Sequence, residues 1–344
     1  MADYSALDKL LHHLALGSNI RAEMVHDIER SMFLKAAPKH EGRHVFVCGL
    51  ARAGTTILMR EIHGSGVFGS LTYADMPFVL APNLWRKLSS RSDNPGSKSE
   101  RAHGDGIEVD FHSPEALDEV YWRVFAGGAY IRPDRLISHR PDQDLIDGYR
   151  DLISLILLRT GKLRYLAKNN NNILRLGALS KAFPDAVILV PVRDPGAHVL
   201  SLLNQHRRFA NSDRFTQNYM EWLGHFEFGA THRPFAWNNV MARGNPDTPD
   251  YWLAQWIAAH EAIFRTAKDH ANIQIVPSDH LAANTSYWPA LARRIGIDPS
   301  PLREIRAMPL HLDPEASAAA KPEAARLYQA MLDHAGQSLT STAA

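Results

Sequence analysis

The sequence predicts an α/β fold in which a central parallel sheet is flanked by helices. Two apolar runs, at residues 45–47 and 186–192, have the continuous hydrophobicity that is typical of buried parallel strands. Each run passes through a short turn into a segment whose apolar residues recur at helical spacing. Helical patterns near both ends predict extensions at 1–40 and 313–344, around an α/β domain at 41–312.

Polar segments interrupt the predicted domain at two places. The insertions near 86–106 and 229–250 are rich in Gly, Pro, Asn or Ser, which is typical of surface loops. The first is long enough to act as a lid. Helices are predicted to begin at Ser113 and near Asp142, because each position carries a good helix-start signal.

The first apolar run ends in a turn framed by glycines, within the segment VFVCGLARAGTTILMREI. Thr55 and Thr56 open a helix whose free backbone N–H groups would face an anion. The spacing Gly49-x-x-x-x-Gly54 matches a P-loop, but Thr55 stands where the P-loop lysine belongs, and Arg52 supplies a cation from inside the turn. The turn therefore predicts a P-loop-like sheet that binds a phosphate-like group without the ATP-hydrolysing lysine.

The second apolar run ends at Arg193 in the segment AVILVPVRDPGAHVLSLLNQH. Asp194 is the predicted N-cap of the next helix, and Pro195 is its first residue. Arg193 then lies at the carboxyl end of a strand, where open α/β sheets bind ligands. Ser201 follows two turns into the helix, so its hydroxyl is expected to face the same crevice as the guanidinium, which suits phosphate.

Together these segments resemble the sulfotransferases that use 3′-phosphoadenosine 5′-phosphosulfate (PAPS). The resemblance covers residues 44–206 and includes the stretch RYLAKNNNNILRLGALSKAFPDAVILVPVRDP, with Lys168 in the family's basic position. It implies that Arg193 and Ser201 contact the 3′-phosphate. The residues that are similar to the family's 5′-phosphosulfate loop are Arg52, Ala53, Gly54, Thr55 and Thr56.

The resemblance implies in-line transfer of a sulfuryl group to an acceptor hydroxyl, by analogy with phosphoryl transfer. Arg52 and Lys168 are the residue types that stabilise charge on the departing phosphate oxygen. A sulfuryl group carries less charge than a phosphoryl group, so no metal is expected, and no histidine has a metal-ligand spacing. The arginine in the loop is closer to the protein-tyrosine and carbohydrate branches of the family than to its cytosolic branch.

The resemblance does not fix the general base, because Asn170 stands where the cytosolic branch has its catalytic histidine. Asp75, on a predicted second strand, is the first choice by resemblance to the other branches. His103, Asp105 and Glu108 are the reserve candidates, and they follow the predicted lid. The four-asparagine run that contains Asn170 has an alternative, purely structural interpretation, in which its last member, residue 172, caps a helix that begins at residue 173.

Composition favours a cytoplasmic enzyme of bacterial type. The net charge is +1, and the sequence has no marked cluster of basic residues, so nucleic acid is not an expected partner. No apolar run is long enough for an integral membrane segment, and the one cysteine, Cys48, lies in a core strand. The expected acceptor is a small molecule, a carbohydrate or a lipid, and the N-terminal helices either pack on the core or form a homodimer contact.

Two other functional classes remain open. A P-loop-type nucleotide-dependent kinase would use residues 49–56 as its Walker A loop and Asp194 as a Mg²⁺ ligand, although the missing lysine opposes this. A non-catalytic nucleotide-binding scaffold would bind the donor without turning it over.

Overall fold

A five-stranded parallel sheet forms the centre of the computed structural model. The structure describes residues 6–39, 41–89, 99–100, 108–109, 116–283, 286–299, 302 and 321–340. The strands of the sheet lie in the order β2-β6-β1-β7-β9, and every neighbouring pair is parallel. The predicted α/β class is therefore confirmed. The strands of this sheet are β1 Val45–Val47, β2 Phe68–Gly69, β6 Arg164–Lys168, β7 Val187–Val192 and β9 Ile273–Pro277.

Two small sheets lie outside the central one. The antiparallel pair consists of β3 (Ser99–Glu100) and β4 (Glu108–Val109), and the parallel pair of β5 (Leu136–Ile137) and β8 (Phe235–Ala236). The helices of the described residues are α1 Ala6–Leu16, α2 Asn19–Phe33, α3 Thr55–His63, α4 Pro82–Leu88, α5 Glu119–Tyr130, α6 Gln143–Thr160, α7 Leu176–Ala182, α8 Pro195–Ala210, α9 Arg214–Trp222, α10 Pro249–Asp269, α11 Ser278–Ala283, α12 Tyr287–Ile295 and α13 Pro322–Thr340.

The sheet separates two apolar clusters, because successive side chains of a strand point to opposite faces. Phe46 and Cys48 belong to the larger cluster, whereas Val45 and Val47 belong to the smaller one, which includes Leu58 of α3. Burial raises the pKa of the Cys48 thiol to about 12, so this thiol packs as an apolar side chain. The prediction that Cys48 lies in the core is confirmed.

Several helix starts agree with their sequence signals, and one does not. The Asp142 carboxylate accepts a hydrogen bond from the Leu145 amide at the start of α6, as the sequence predicts. Ser113, where a helix is predicted to begin, lies outside the described residues, and the helix of this segment, α5, begins at Glu119. Asp118, the residue before it, makes no capping bond, because its carboxylate accepts a 2.6 Å hydrogen bond from the Tyr149 hydroxyl inside the core.

The N-terminal helices pack on the core through one face only. Ala22, His26 and Phe33 of α2 are buried, whereas the residues at positions 20, 24, 28 and 32 of the same helix are exposed and apolar. At the other end of the chain, α13 packs against β9, α8 and α10. Neither terminal segment contains a helix apolar and long enough to cross a bilayer, and none occurs elsewhere in the described part of the chain.

We predict that Asp118 makes stability fall as the pH rises. The pKa of this carboxyl is raised from 3.8 to about 7, mainly by burial. The hydrogen bond from Tyr149 opposes this shift, and the charge of Glu119 adds to it. Between these values the native chain holds a proton that the unfolded chain has lost, so the free energy of unfolding decreases with pH. Urea unfolding at about pH 5 and about pH 8 should show a smaller decrease for Asp118→Asn than for the wild type. Equal decreases would contradict the assignment.

Candidate active site

The loop between β1 and α3 is shaped to bind an anion. Gly49, Arg52 and Gly54 all have positive φ, at 154°, 70° and 94°, so several backbone N–H groups turn towards the same side. Gly54 is the N-cap of α3 and offers no side chain to its first turn. The first N–H groups of α3 therefore lack a helical partner, and they are available to an anionic group.

Two side chains from other elements hold this loop in place. The Ser278 hydroxyl, which directly follows β9, donates a 2.6 Å hydrogen bond to the Ala53 carbonyl oxygen. His198 of α8 lies with Nε2 at 2.7 Å from the Ala51 carbonyl oxygen, so Nε2 carries the proton. Burial lowers the pKa of His198 to about 3, so the imidazole is neutral and serves as a fixed donor. Sequence reasoning missed both residues, since the contacts cross long stretches of chain.

Arg52, Ser201 and Arg193 lie together beside the loop. The Arg52 Nε donates a 3.3 Å hydrogen bond to the Ser201 hydroxyl of α8. Arg193 follows β7, and no hydrogen bond or ion pair from another described residue engages its guanidinium. Burial lowers the pKa of Arg193, Asp279 opposes this shift, and the nearby charge of Arg52 lowers the pKa further. Two guanidinium groups that repel each other in a partly buried site favour a bound anion.

Lys168 ends β6, next to the loop, and only 6% of its surface is exposed. The Asn169 amide then donates to the Val47 carbonyl oxygen at 2.9 Å, which extends the pairing of β6 with β1. The predicted cap at Asn172 is wrong, because a short 3-10 helix spans Asn170–Leu174 and is capped by the Asn169 side chain. The turn forms earlier than predicted because Asn169 bonds the Asn171 amide.

A buried network anchors this asparagine run. Glu119 of α5 is fully buried, and its carboxylate accepts a 2.7 Å hydrogen bond from the side-chain amide of Asn169. The same carboxylate forms an ion pair with Arg175 and accepts a hydrogen bond from the Tyr130 hydroxyl. The Arg175 guanidinium also lies 4.4 Å from the centre of the Trp122 ring. Removal of one partner of a buried ion pair costs about 3–5 kcal/mol, so the network fixes the backbone beyond Lys168 firmly.

Asn170 connects the loop to an acidic side chain that the sequence analysis did not select. Its Oδ1 accepts from the Thr55 hydroxyl at 3.4 Å, and its Nδ2 donates to the Glu227 Oε1 at 3.0 Å. Glu227 lies in the connection between α9 and β8, far from Asn170 in sequence. No local sequence motif predicts a contact between Asn170 and Glu227, because they are 57 residues apart.

The candidate bases from the sequence occupy other positions. The strand predicted for Asp75 is wrong, since this residue ends a 3-10 turn, Tyr73–Asp75, stabilised by a capping box. One Asp75 oxygen lies 2.9 Å from the Arg159 Nε, and the other accepts from the Thr72 amide at 2.8 Å. Burial raises the pKa of Asp75, while Arg159 opposes the shift. Both oxygens are engaged and the side chain is 3% exposed, so Asp75 contributes to the fold, and its assignment as the base stays a prediction.

The reserve bases are only partly covered by the structure. His103 and Asp105 lie outside the described residues, as does most of the predicted lid at 86–106. Glu108 is in β4, where its backbone pairs with Glu100. In the described residues, no three His, Cys, Asp or Glu side chains come close enough together to hold a metal ion.

A cleft of about 290 Å³ of empty volume, part of it open to solvent, lies beside the loop. Leu50 and Ala51 of the loop form one wall, and the Glu227 carboxylate lies at the edge. The remaining lining residues are mainly aromatic or apolar, and they come from α8, α10 and the segment before β8: Leu202, Phe228, His232, Arg233, Pro234, Phe235, Trp252 and Gln255. The loop, the cationic groups and an apolar cleft thus meet at the carboxyl ends of the parallel strands.

Comparison with known proteins identifies the family. A sequence model described as the sulfotransferase family matches residues 44–252, which is more than half of the chain. This chain belongs to the sulfotransferase family. It is an enzyme of the sulfuryl-transfer class, and the resemblance noted in the sequence is confirmed at the level of the family. No curated protein matches the sequence.

Solved structures with similar folds include two mycobacterial sulfotransferases. Sulfotransferase STF1 from Mycobacterium tuberculosis is 14% identical, with a TM-score of 0.49, and the alignment covers 92% of this chain and 81% of that one. Sulfotransferase STF9 from Mycobacterium avium is 13% identical, with a TM-score of 0.48, and 97% and 79% of the two chains are covered.

We predict that the loop requires glycine at position 54. Gly54 has a φ of 94°, and a residue with a side chain needs about 1–2 kcal/mol to adopt this backbone conformation. A Cβ at this position would also lie 3.4 Å from the Ser278 hydroxyl. Gly54→Ala should therefore lower the free energy of unfolding by at least this amount in urea. Gly128→Ala is the control, because a Cβ there meets nothing within 4 Å, and in a helix it should stabilise by about 0.5–1 kcal/mol. Equal effects of the two changes would contradict the strained loop.

Proposed function

We propose that this sulfotransferase moves the sulfuryl group of PAPS to a hydroxyl group of a small-molecule, carbohydrate or lipid acceptor. The observation that carries the proposal is the meeting of three cationic side chains with an uncapped helix start at one edge of the sheet. Arg52, Lys168 and Arg193 come from three different segments, and they surround the N-terminus of α3.

The residues present fit such a donor. The backbone N–H groups of 54–56 and the Thr55 and Thr56 side chains suit the 5′-phosphosulfate, since the first turn of α3 has no capping side chain. The Ala53 N–H donates instead to the Leu50 carbonyl oxygen at 3.4 Å. Arg193 and Ser201 suit the 3′-phosphate, because no described residue makes a hydrogen bond or a salt bridge to the Arg193 guanidinium, although the carboxylates of Asp279 and Asp194 attract it from a greater distance. A guanidinium in that state gains charge-assisted hydrogen bonds from a phosphate without breaking an existing pair.

The chemistry assigned to these residues is positioning and charge stabilisation. PAPS supplies the activated sulfuryl group when it is bound. Arg52 and Lys168 stabilise negative charge on the phosphate oxygen that departs, and the loop is already held in place by Ser278 and His198. A site organised in advance spends little free energy on rearrangement during the reaction.

The class of acceptor, a homodimeric state and a cytoplasmic location are proposals that rest on the sequence. A homodimer is supported by the exposed apolar side chains of α2, Ile20, Met24, Ile28 and Met32, which are 41–79% exposed. A cytoplasmic location remains an expectation from composition.

We predict that 3′-phosphoadenosine 5′-phosphate (PAP), the product of PAPS, raises the melting temperature of the protein and that ATP with Mg²⁺ does not. Arg193 is expected to contact a 3′-phosphate, which ATP lacks. Charge-assisted contacts contribute about 1.5–3 kcal/mol, so Arg193→Ala should weaken PAP binding at least about tenfold in calorimetric titration. Arg208→Ala is the control, because Arg208 is an exposed arginine of α8, the helix that follows Arg193. Equal stabilisation by ATP with Mg²⁺ would support the kinase alternative.

We also predict that sulfuryl transfer survives EDTA. The charge of the departing group is assigned to Arg52 and Lys168, so the reaction does not need a divalent cation. Product formation from PAPS, followed by mass spectrometry, should be the same before and after chelation. A loss of product that added Mg²⁺ restores would overturn this part of the mechanism.

A further inference from the structure

We propose that Glu227 is the general base of this enzyme and that the adjoining cleft holds the acceptor. Glu227 would take the proton of the acceptor hydroxyl. The proposal rests on the proposed function, because it presupposes a bound PAPS molecule in the loop.

The first argument is the position of the carboxylate. Asn170 lies two residues after Lys168, where the cytosolic branch of the family carries a histidine. Its amide bonds the Thr55 hydroxyl on one side and Glu227 on the other, at 3.4 Å and 3.0 Å. Thr55 is the first residue of α3. The carboxylate is therefore two hydrogen bonds away from the start of the helix that is proposed to hold the phosphosulfate.

The second argument is the availability of an oxygen. The Asn170 amide occupies Oε1 of Glu227 and fixes the orientation of the carboxylate. The other oxygen, Oε2, has no hydrogen-bond partner in the part of the chain that the structure describes. Glu227 is half-buried and lines the cleft, so it lies beside the space that an acceptor would occupy.

The third argument is that the other basic side chains nearby are engaged. Both ring nitrogens of His232, which lines the same cleft, have partners: Nδ1 lies 3.3 Å from the Phe226 carbonyl oxygen, and Nε2 lies 2.7 Å from the Tyr251 hydroxyl. His198 donates to the loop. Asp75 is bound to Arg159 and Thr72. His232 and Asp75 would have to break a buried contact before accepting a proton. His198 is held neutral by burial, which lowers its pKa to about 3, so it is a poor proton acceptor.

The cleft determines the class of acceptor. Phe228, Phe235 and Trp252 contribute aromatic walls. Binding sites for small ligands are lined mostly by apolar and aromatic side chains, with a few polar groups that fix orientation. We therefore assign an acceptor whose hydroxyl group is attached to an aromatic or cyclic apolar body.

The step balances as follows. The acceptor oxygen forms a bond to sulfur while its proton moves to the Glu227 Oε2. The bond between sulfur and the bridging phosphate oxygen breaks, and its electron pair leaves on PAP, next to Arg52 and Lys168. The protonated Glu227 then loses its proton to water at the open side of the cleft.

The test compares Glu227→Gln with Glu221→Gln, a change in α9 that lies outside the site. Both variants should keep the wild-type PAP affinity in calorimetric titration and the wild-type melting temperature. With PAPS and a panel of benzyl alcohol, phenol and 4-nitrophenol, Glu227→Gln should lower turnover by about 10² to 10⁴ for the alcohol. The loss should be smaller for 4-nitrophenol, because this acidic acceptor ionises without a base. Turnover of Glu227→Ala should rise again when formate is added.

The outcomes separate the two levels of the proposal. If PAP does not bind the wild-type protein, the proposed function fails, and this inference fails with it. If PAP binds but no member of the panel gains a sulfuryl group, the assignment of the cleft is overturned. Wild-type turnover in Glu227→Gln would overturn the assignment of Glu227 as the base. The assignment would also fail if turnover fell equally for all acceptors and formate did not restore it in Glu227→Ala. Asp75→Asn should lower the melting temperature and leave turnover unchanged, and the reverse result would assign the base to Asp75.

Discussion

The parallel pairing of β1 with β6 and β7 is the constraint on which the rest of the site depends. Val47 at the end of β1 is level with Lys168 in β6 and with Leu189 in β7. Because all three strands run in the same direction, their carboxyl ends share one edge, where the loop, the lysine and Arg193 meet. β9 adds Ser278 to this edge through its pairing with β7. Reversal of any one strand would move its functional residue to the opposite edge.

Concentrating cations at this edge works against the stability of the empty protein. Burial lowers the pKa of Arg193 and the charge of Arg52 lowers it further, while Asp279 and Asp194 oppose the shift. Neutral hydrogen bonds from His198 and Ser278 to loop carbonyl oxygens hold the loop without adding charge. A bound polyanion would remove the repulsion, so binding and stability are coupled through the same charges.

Sequence reasoning succeeded where the signal was local. The β1 to α3 turn, the α6 start at Asp142 and the α8 start at Asp194 follow from residues within a few positions of each other. Distant contacts gave no such signal. Asp75 is predicted on a strand, but it ends a 3-10 turn and bonds Arg159, which is 84 residues away in sequence. The hydrogen bond from Tyr149 to Asp118, 31 residues apart, is likewise invisible in a local pattern.

Glu227 is the extreme case of the same limitation, because only the folded chain brings it to Asn170, 57 residues earlier in sequence. The missing histidine at position 170 signals that the base has moved, but it does not say where. The arrangement that we propose divides two roles that one histidine would combine. The Asn170 amide orients the carboxylate through its hydrogen bond to Oε1, and Glu227 accepts the proton. Since a carboxylate is intrinsically a weaker base than an imidazole, such an arrangement favours hydroxyl groups that are already acidic, and it agrees with the aromatic walls of the cleft in favouring phenols.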